Sequence, residues 1–169
     1  KISVTVSKYN NSDELEYLCR LLKDEYQEFS KAELEEKNID GINLAGRIVL
    51  KRVMGNASFI SIRDELSDLQ AYVSKNDIGE DDYADFKTWD IGDIVGLSGK
   101  LFRTKTDELT VHCSAVTMIT KSLKPMPEKH KGLSDIETRY RQRYLDLMSN
   151  NETKELFLSR SKILDSVRT

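Results

Sequence analysis

The sequence has 169 residues, of which 38% are hydrophobic and 33% are charged, and its formal net charge at pH 7 is −3. This length suffices for one well-packed domain with additional segments, but not for two full-sized domains. No apolar run approaches the roughly 20 residues of a membrane helix, and no secretory signal opens the chain. We therefore expect a cytoplasmic protein without a membrane partner.

The cysteines and histidines are few and scattered. Cys19 and Cys113 form no CxxC pair, and His112 and His130 are the two histidines. Separated cysteines in an intracellular chain are normally free and reduced. Since the ligand spacing of a zinc site is missing, we expect no metal ion or cofactor within this chain.

The charge is divided unevenly along the sequence. Residues 1–40 carry six Lys or Arg against ten Asp or Glu, residues 41–124 carry eleven against twelve, and residues 125–169 carry nine against seven. Because no region is strongly basic, a polyanion would have to be bound by a local patch and specific contacts.

The first 40 residues predict helices after a polar, β-leaning start at residues 1–10. A capping signal at Asn11–Ser12 precedes an amphipathic helix with five apolar residues at helical spacing: Leu15, Leu18, Cys19, Leu22 and Tyr26. Ser30 and Glu33 form an S-x-x-E capping box, which predicts a second short helix through about Lys37.

Between residues 41 and 124 the periodicity becomes that of strands. Three strands are predicted in "INLAGRIVLKRVM", "ASFISIRD" and "LQAYVS", then a helix in "EDDYADFKTWD", then a hairpin of two strands that turns at Asp107–Glu108. This order predicts a mainly β fold with flanking α, a five-stranded OB-fold Greek-key barrel with a helix between strands 3 and 4. Five glycines fall where a small barrel needs bends and bulges: Gly46, Gly55, Gly92, Gly96 and Gly99. An unrelated small β-barrel with an insertion is the alternative.

A linker and a helical segment complete the chain. "KSLKPMPEKHKG" contains both prolines, and "LSDIETRYRQRYLDLMSN" and "ETKELFLSRSKILDSVRT" after it have helical patterns. The last of these has no C-cap, as if the sequence stopped within a helix. We predict an N-terminal extension with helices at 1–40, the barrel at 41–124, a linker at 125–131 and the start of another domain at 132–169.

The predicted strands carry a candidate binding set. Strict alternation places Phe59 on the outer face of the second strand with Ser61 and Arg63, and it makes Ile60 and Ile62 core residues. On the third strand, Gln70 and Tyr72 share one side. On the first strand, alternation places two sets of residues on opposite faces: Arg47, Val49 and Lys51 on one, and Ile48, Leu50 and Arg52 on the other. A bulge near Met54–Gly55 would change the direction of the side chains at the end of this strand.

Phe59, Gln70 and a nearby cation match the means by which OB-folds bind single-stranded nucleic acid. An aromatic ring stacks on a base, an amide offers a donor and an acceptor to a base edge, and a cation meets phosphate or a carbonyl oxygen. The alternative is a solvent-edge Phe59 packed under a loop and Gln70 as an ordinary surface residue. His112 is interpreted as a hydrogen-bonded barrel residue, and the carboxylates of "GEDDYADF" as a solvated helix face. No P-loop, nucleophile elbow or dinucleotide motif is present.

The chain resembles the N-terminal part of bacterial-type class II lysyl-tRNA synthetases. The resemblance lies in "AGRIVLKRVMGNASF", "WDIGDIVGLSGKLFRTKTDELTVHC", "KPMPEKHKGL" and "KGLSDIETRYRQRYLDLMSN", and it covers about residues 40–169. The string from Tyr140 to Leu147 is highly specific for that family. Aspartyl and asparaginyl relatives share the OB-fold and a similar R-Y-L-D-L string, but the T-K-T-x-E-L turn favours the lysyl enzymes.

The resemblance implies that the barrel binds the anticodon of tRNA(Lys). Its motif spacing falls on Arg52, Phe59 and Gln70, with Glu108 reading the first anticodon base. Lys51 stands where bacterial lysyl enzymes often have a second arginine, so a bidentate contact there becomes a phosphate contact. Arg47 on the same strand completes the anticodon-binding candidates.

The resemblance also implies that the full-length protein is a lysine–tRNA ligase, an aminoacyl-tRNA synthetase that uses lysine, ATP and Mg²⁺ in protein synthesis as a homodimer. The catalytic domain would start near Gly132, and its later motifs are not in this sequence, so the chain alone should be inactive. A free-standing OB module for single-stranded nucleic acid and a fragment of an aspartyl or asparaginyl enzyme are the alternatives.

Overall fold

The computed structural model describes residues 18–64, 67–124, 126, 133 and 135–168. The chain divides into two compact units, residues 1–124 and residues 125–169, and each is described by itself. The predicted start at residues 1–10, the cap at Asn11–Ser12, Leu15 and most of the predicted linker lie outside the described residues.

In the described part of the first unit, two short helices precede the strands. Helix α1, Leu18–Tyr26, buries the apolar positions predicted from the spacing, namely Leu18, Cys19, Leu22 and Tyr26. Helix α2, Lys31–Lys37, begins at the predicted capping box, in which the Ser30 backbone N–H donates to Glu33 Oε2 over 2.8 Å. Both cysteines are buried and free, as expected.

Five strands form a closed barrel in the order β1-β2-β3-β5-β4. They are β1 Ile42–Met54, β2 Ala57–Arg63, β3 Asp68–Ser74, β4 Ile94–Arg103 and β5 Leu109–Thr120. Strands β3 and β5 run parallel, and the other neighbouring pairs are antiparallel. This topology confirms the OB-fold prediction.

The connection between β3 and β4 is helical, as predicted, with α3 at Lys75–Ile78 and α4 at Glu80–Thr88. Tyr83 and Phe86 of α4 are fully buried and share one apolar core with the inward residues of the strands. The Tyr83 hydroxyl lies 2.8 Å from Ser58 Oγ and 3.1 Å from the Gly55 carbonyl oxygen, which ties this helix to β2 and to the turn before it.

The bulge in β1 lies elsewhere than predicted. The register with β2 shifts between Ile48 and Leu50, so Val49 has no partner residue in β2. Gly55 instead occupies the turn between β1 and β2 with φ +65°, a conformation that favours glycine. The prediction of a bulge near Met54–Gly55 is therefore wrong. Gly99 does lie at a bulge, because the register of β4 with β5 shifts between Ser98 and Gly99.

The second unit is helical where it is described. Helices α5 Ile136–Arg141, α6 Arg143–Ser149 and α7 Asn151–Arg168 confirm the predicted pattern, with an interruption at Gln142. Asp146 is buried and pairs with Arg139 at 2.9 Å and Arg143 at 2.6 Å. Within the described ranges of the chain, no helix is long and apolar enough to cross a membrane.

Candidate nucleic-acid interface

The bulge at Val49 decides which cation of β1 faces outward. Directly opposite residues of an antiparallel pair point to the same side of the sheet. After the shift, Arg52 lies opposite Phe59, and Lys51 lies opposite the buried Ile60. One extra residue therefore turns Arg52 to the outer face, where strict alternation from Ile48 would have pointed it inward.

Phe59 lies on that outer face and is half-buried. Its ring centroid is 5.1 Å from that of Tyr72, its partner in β3, and the two ring planes are inclined by 56°. Tyr72 in turn makes an edge contact with His112 at 5.2 Å and with Phe102 at 6.2 Å. We call Phe59, Tyr72, His112 and Phe102 the aromatic row.

Gln70 and Glu108 meet beside the aromatic row. Gln70 Nε2 donates to Glu108 Oε2 over 2.7 Å, and Gln70 Oε1 accepts from Thr110 Oγ1 over 2.9 Å. Gln70 lies opposite Ser61 of β2 and beside Thr110 of β5. An amide has two N–H donors and two acceptor lone pairs, so one of each is left for a base edge.

The structure therefore brings four predicted residues onto adjoining positions of one face. Arg52 lies opposite Phe59. Gln70 is two residues before Tyr72, the β3 partner of Phe59, and its side chain donates a hydrogen bond to Glu108. Arg52 is exposed and makes no ion pair with any residue that the structure describes. A stacking ring, a paired amide and carboxylate, and an unpaired cation are the groups that a single-stranded base and its phosphate require.

Lys51 is engaged elsewhere. Its Nζ donates to the carbonyl oxygens of Phe86 (2.9 Å), Lys87 (3.0 Å) and Trp89 (2.7 Å), at the C-terminal end of α4. A cation at this end of a helix meets carbonyls that have no partner within the helix. Burial lowers the pKa of the Lys51 ammonium. Because all three of its protons are used, the structure does not bring Lys51 together with Arg52 as a phosphate contact.

Arg47 also has an internal partner. Its Nη1 donates to the Gly92 carbonyl oxygen over 2.7 Å, in the loop that precedes β4. It lies on β1 before the bulge and opposite Arg63, several positions from the Arg52–Phe59 pair. The structure thus leaves Arg47 and Lys51 outside the group formed by the other four candidates.

His112 is hydrogen-bonded, as the sequence interpretation had it, but its ring belongs to the outer face. His112 Nε2 lies 2.8 Å from Asp77 Oδ2 of α3. The hydrogen bond from His112 lowers the pKa of the Asp77 carboxyl. Lys100 is the β4 partner of His112 and is exposed, so it adds a cation beside the aromatic row.

Sequence reasoning did not assign a role to Tyr72 or Phe102. Tyr72 is two residues after Gln70, and alternation had already put both on one side, so the signal was available. Phe102 lies on β4, just before the turn between β4 and β5. Its place in the aromatic row depends on the parallel pairing of β3 with β5. Sequence periodicity carries no information on which strands pair.

The described residues hold no cluster of three or more His, Cys, Asp or Glu side chains that could bind a metal ion. The chemical groups of the outer face are suited to recognition by stacking, hydrogen bonding and charge.

Comparison with known proteins agrees with this geometry. Residues 42–119 match the tRNA anti-codon family model, described as an OB-fold nucleic acid binding domain. Residues 42–119 are thus similar to OB-fold nucleic acid binding domains, and this range contains the outer face described above.

The curated relatives are more specific. The chain is 46% identical over 160 residues to a lysine–tRNA ligase of Chromobacterium violaceum, an alignment that covers 95% of this chain and 32% of the relative. It is 52% identical over 145 residues to the lysine–tRNA ligase of Actinobacillus pleuropneumoniae, an alignment that covers 85% of this chain and 29% of the relative. It is 55% identical over 127 residues to the lysine–tRNA ligase of Azoarcus sp., with 75% of this chain and 25% of the relative covered.

The chain is thus homologous to the N-terminal part of lysine–tRNA ligases. It spans about a third or less of the length of these curated relatives.

Proposed function

We propose that the outer face of the barrel binds the anticodon of tRNA(Lys), and that this chain is the anticodon-binding part of a lysine–tRNA ligase. The observation that carries the proposal is the placement of Arg52, Phe59, Gln70 and Glu108 on adjoining positions of one face. These residues are separated by up to 56 positions in the sequence and come from four segments of the barrel, so their proximity is a product of the fold.

Each of the four groups has a separate task. The Phe59 ring offers a flat surface on which a splayed-out base stacks, a contact worth about 1–3 kcal/mol per base. Gln70 presents its remaining donor and acceptor to the edge of a base, and Glu108 accepts from an N–H on the first anticodon base. Arg52 meets a phosphate or a carbonyl oxygen.

The charge of the chain is consistent with such local recognition. With a net charge of −3, the chain has no broad positive field to attract RNA. Specific contacts to unstacked bases are the usual way in which proteins recognise single-stranded RNA loops by sequence. Binding by this chain alone should weaken with added salt in proportion to the number of phosphates that it contacts.

In the longer protein that the relatives suggest, anticodon recognition would select the tRNA to which lysine is joined with the use of ATP. In this proposal, lysine, ATP and Mg²⁺ would be bound by that longer protein. A homodimer and a cytoplasmic location of the full-length protein are part of the same proposal.

Two alternative functions are not favoured. A free-standing module for any single-stranded nucleic acid would bind without regard to the anticodon, and an aspartyl or asparaginyl enzyme would prefer its own tRNA. Identities of 46–55% to lysine–tRNA ligases argue against both. Binding of three stem-loops with different anticodons separates these possibilities.

The experiment that tests the proposal is a titration of labelled tRNA(Lys) anticodon stem-loop with the chain and with Phe59→Ala. We expect the substitution to weaken binding by about 1–3 kcal/mol, because one stacking ring is lost. Tyr140→Ala is the matched control, since it removes an aromatic side chain that is 71% exposed in the other unit. Equal affinity of wild type and Phe59→Ala would contradict the role of Phe59.

A further inference from the structure

Arg103 is a buried arginine at the end of β4, with only 6% of its surface exposed. Its guanidinium donates to three backbone carbonyls. Nε donates to Phe29 O over 2.6 Å, Nη1 to Asp107 O over 2.5 Å, and Nη2 to Gln27 O. The Asp107 carboxylate lies 3.4 Å from Nη1 and supplies an opposite charge.

These carbonyls belong to two separate parts of the first unit. Gln27 and Phe29 lie in the loop between α1 and α2, more than 70 positions before Arg103 in the sequence. Asp107 lies in the turn between β4 and β5 and directly precedes Glu108. One side chain therefore fastens the turn that carries Glu108 to the N-terminal helical segment, residues 18–37.

The turn itself has little else to hold it. Lys105 to Glu108 are exposed, and Asp107 has a φ of +62°, which is unfavourable for a residue with a side chain. Thr104 makes three of the local hydrogen bonds: it donates its N–H to Glu108 O, accepts from the Asp107 N–H at its carbonyl oxygen, and accepts from the Glu108 N–H at Oγ1, each over 3.1 Å. Thr110 Oγ1 also donates to Glu108 O over 3.1 Å. Arg103 supplies the buried anchor.

The loop at the other end of this link is well held. The Phe29 ring makes an edge contact with Tyr26 at 5.4 Å, and the Lys37 ammonium lies 4.0 Å from its centroid. After α2, Ile39 is fully buried and its carbonyl oxygen accepts from the Leu101 N–H over 3.0 Å. The loop is thus fixed to α1, α2 and β4, and it can serve as a rigid support for the turn.

We propose that Arg103 is a positioning residue for Glu108, and that the N-terminal helical segment, through Arg103, sets the base selectivity of the outer face. The inference rests on the proposed function, in which Glu108 reads a base. Arg103 holds the backbone on the N-terminal side of Glu108, so that its carboxylate stays 2.7 Å from Gln70 Nε2. Lysine cannot replace it fully, because a single ammonium lacks the planar fork that reaches carbonyls in several directions.

The test measures the affinities of the chain for two anticodon stem-loops that differ only by uracil or cytosine at the first anticodon position. We expect Arg103→Met to lower the ratio of the two affinities by about fivefold, the effect of one misplaced hydrogen bond. Arg103→Lys should also lower the ratio of the two affinities. This variant provides the test if Arg103→Met does not fold. Arg20→Met is the control for a lost positive charge, since Arg20 lies in the N-terminal helical segment and pairs with the exposed Asp24 at 3.4 Å on α1. Its ratio should equal that of wild type.

A double variant shows whether Arg103 acts through Glu108. Arg103→Met combined with Glu108→Gln should have the same ratio as Glu108→Gln alone, and a further fall would overturn the inference. Hydrogen exchange gives a readout without RNA, because the amides of Thr104 and Glu108 should exchange faster in Arg103→Met. Unchanged exchange and an unchanged ratio in the folded variants would also overturn it. A wild-type ratio near one would instead contradict the proposed function, and amide exchange would still decide whether Arg103 holds the turn.

Discussion

Gln70 and Glu108 are 38 positions apart in the chain, and Gln70 Nε2 donates to Glu108 Oε2 over 2.7 Å. Thr110 Oγ1 donates to the other side of the same amide over 2.9 Å. The amide is thereby held in one orientation by the residues of the protein itself. A recognition group that is already oriented loses less conformational freedom when a ligand binds, which leaves more of the contact energy for affinity.

This pair makes Glu108→Gln an informative substitution. It keeps the size of the side chain but replaces an oxygen that only accepts hydrogen bonds with an amide that also donates. We expect the preference for uracil over cytosine at the first anticodon position to fall by about 1 kcal/mol, measured by fluorescence anisotropy with the two stem-loops. Glu35→Gln on the exposed face of α2 is the matched control. Equal binding of both stem-loops by the wild type would contradict the role of Glu108.

Arg52 and Lys51 are neighbours for which we expect opposite results. Arg52→Gln should leave thermal stability unchanged and should reduce the slope of log affinity against log salt by about 0.7, the contribution of one contact to single-stranded phosphate. Lys51→Met should destabilise the fold by about 1–3 kcal/mol, since the carbonyl oxygens of Phe86, Lys87 and Trp89 lose the hydrogen bonds from Lys51 Nζ. Urea denaturation and RNA titration of both variants check this, and a stable Lys51→Met variant with a reduced salt slope would reverse the assignment.

Gly99 offers a test of the barrel geometry. A Cβ atom at this position would lie 2.1 Å from the His112 carbonyl oxygen, whereas at Gly96 the nearest atom would be Ile119 Cδ1 at 3.5 Å. Gly99→Ala should therefore force β4 and β5 apart and destabilise the protein by about 2–3 kcal/mol. Gly96→Ala, in the same strand, should change the free energy of unfolding much less. Similar unfolding midpoints for both variants would show that the close approach at Gly99 is absent in solution.

The second unit should lose stability in acid because of Asp146. Burial opposes ionisation of this carboxyl, but the hydrogen bonds and charges of Arg139 and Arg143 outweigh it, so its pKa lies below the ordinary value of 3.8. A carboxyl with a lowered pKa in the folded state contributes stability above its unfolded pKa, and this contribution is lost as the pH falls through the folded value.

A carboxyl-detected NMR titration of the chain from about pH 5 to pH 2 checks the direction of this shift. The Asp146 resonance should titrate below the ordinary aspartate value of 3.8, and urea stability of residues 135–168 should fall over the same range. In Asp146→Asn the unit should be less stable at pH 7 and less sensitive to acid. A titration of Asp146 at or above 3.8 would contradict the ion pairs seen here.

Most of the fold could be predicted from local patterns. The capping box at Ser30 and Glu33 identified the start of α2, because its two residues satisfy each other within one turn of helix. Alternation in β2 correctly placed Ile60 and Ile62 in the core and Phe59 outside. Such patterns are predictable since their causes lie within a few residues of the chain.

The parts that could not be predicted depend on contacts between distant segments. The bulge at Val49 leaves no mark in the composition of β1, and its position is set by the fit of the strand between β2 and β4. The hydrogen bond from the Lys51 ammonium to the Phe86 carbonyl oxygen of α4 joins residues that are 35 positions apart. The contact between Glu108 and Gln70 could not be predicted either, because the turn between β4 and β5 comes next to β3 only when β5 pairs with β3 and closes the barrel.

The bulge at Val49 makes the length of β1 as important as its composition. Insertion of one residue between Leu50 and Lys51, with the pairing up to Leu50 unchanged, would exchange the directions of the two cations that follow it. Lys51 would then project toward solvent beside Phe59, and the larger Arg52 would be driven toward the end of α4, where a compact ammonium now fits among three carbonyl oxygens. A gain of one residue after the bulge should thus be tolerated far less than a change of side chain, because it would disturb the helix contact and the outward cation in a single step.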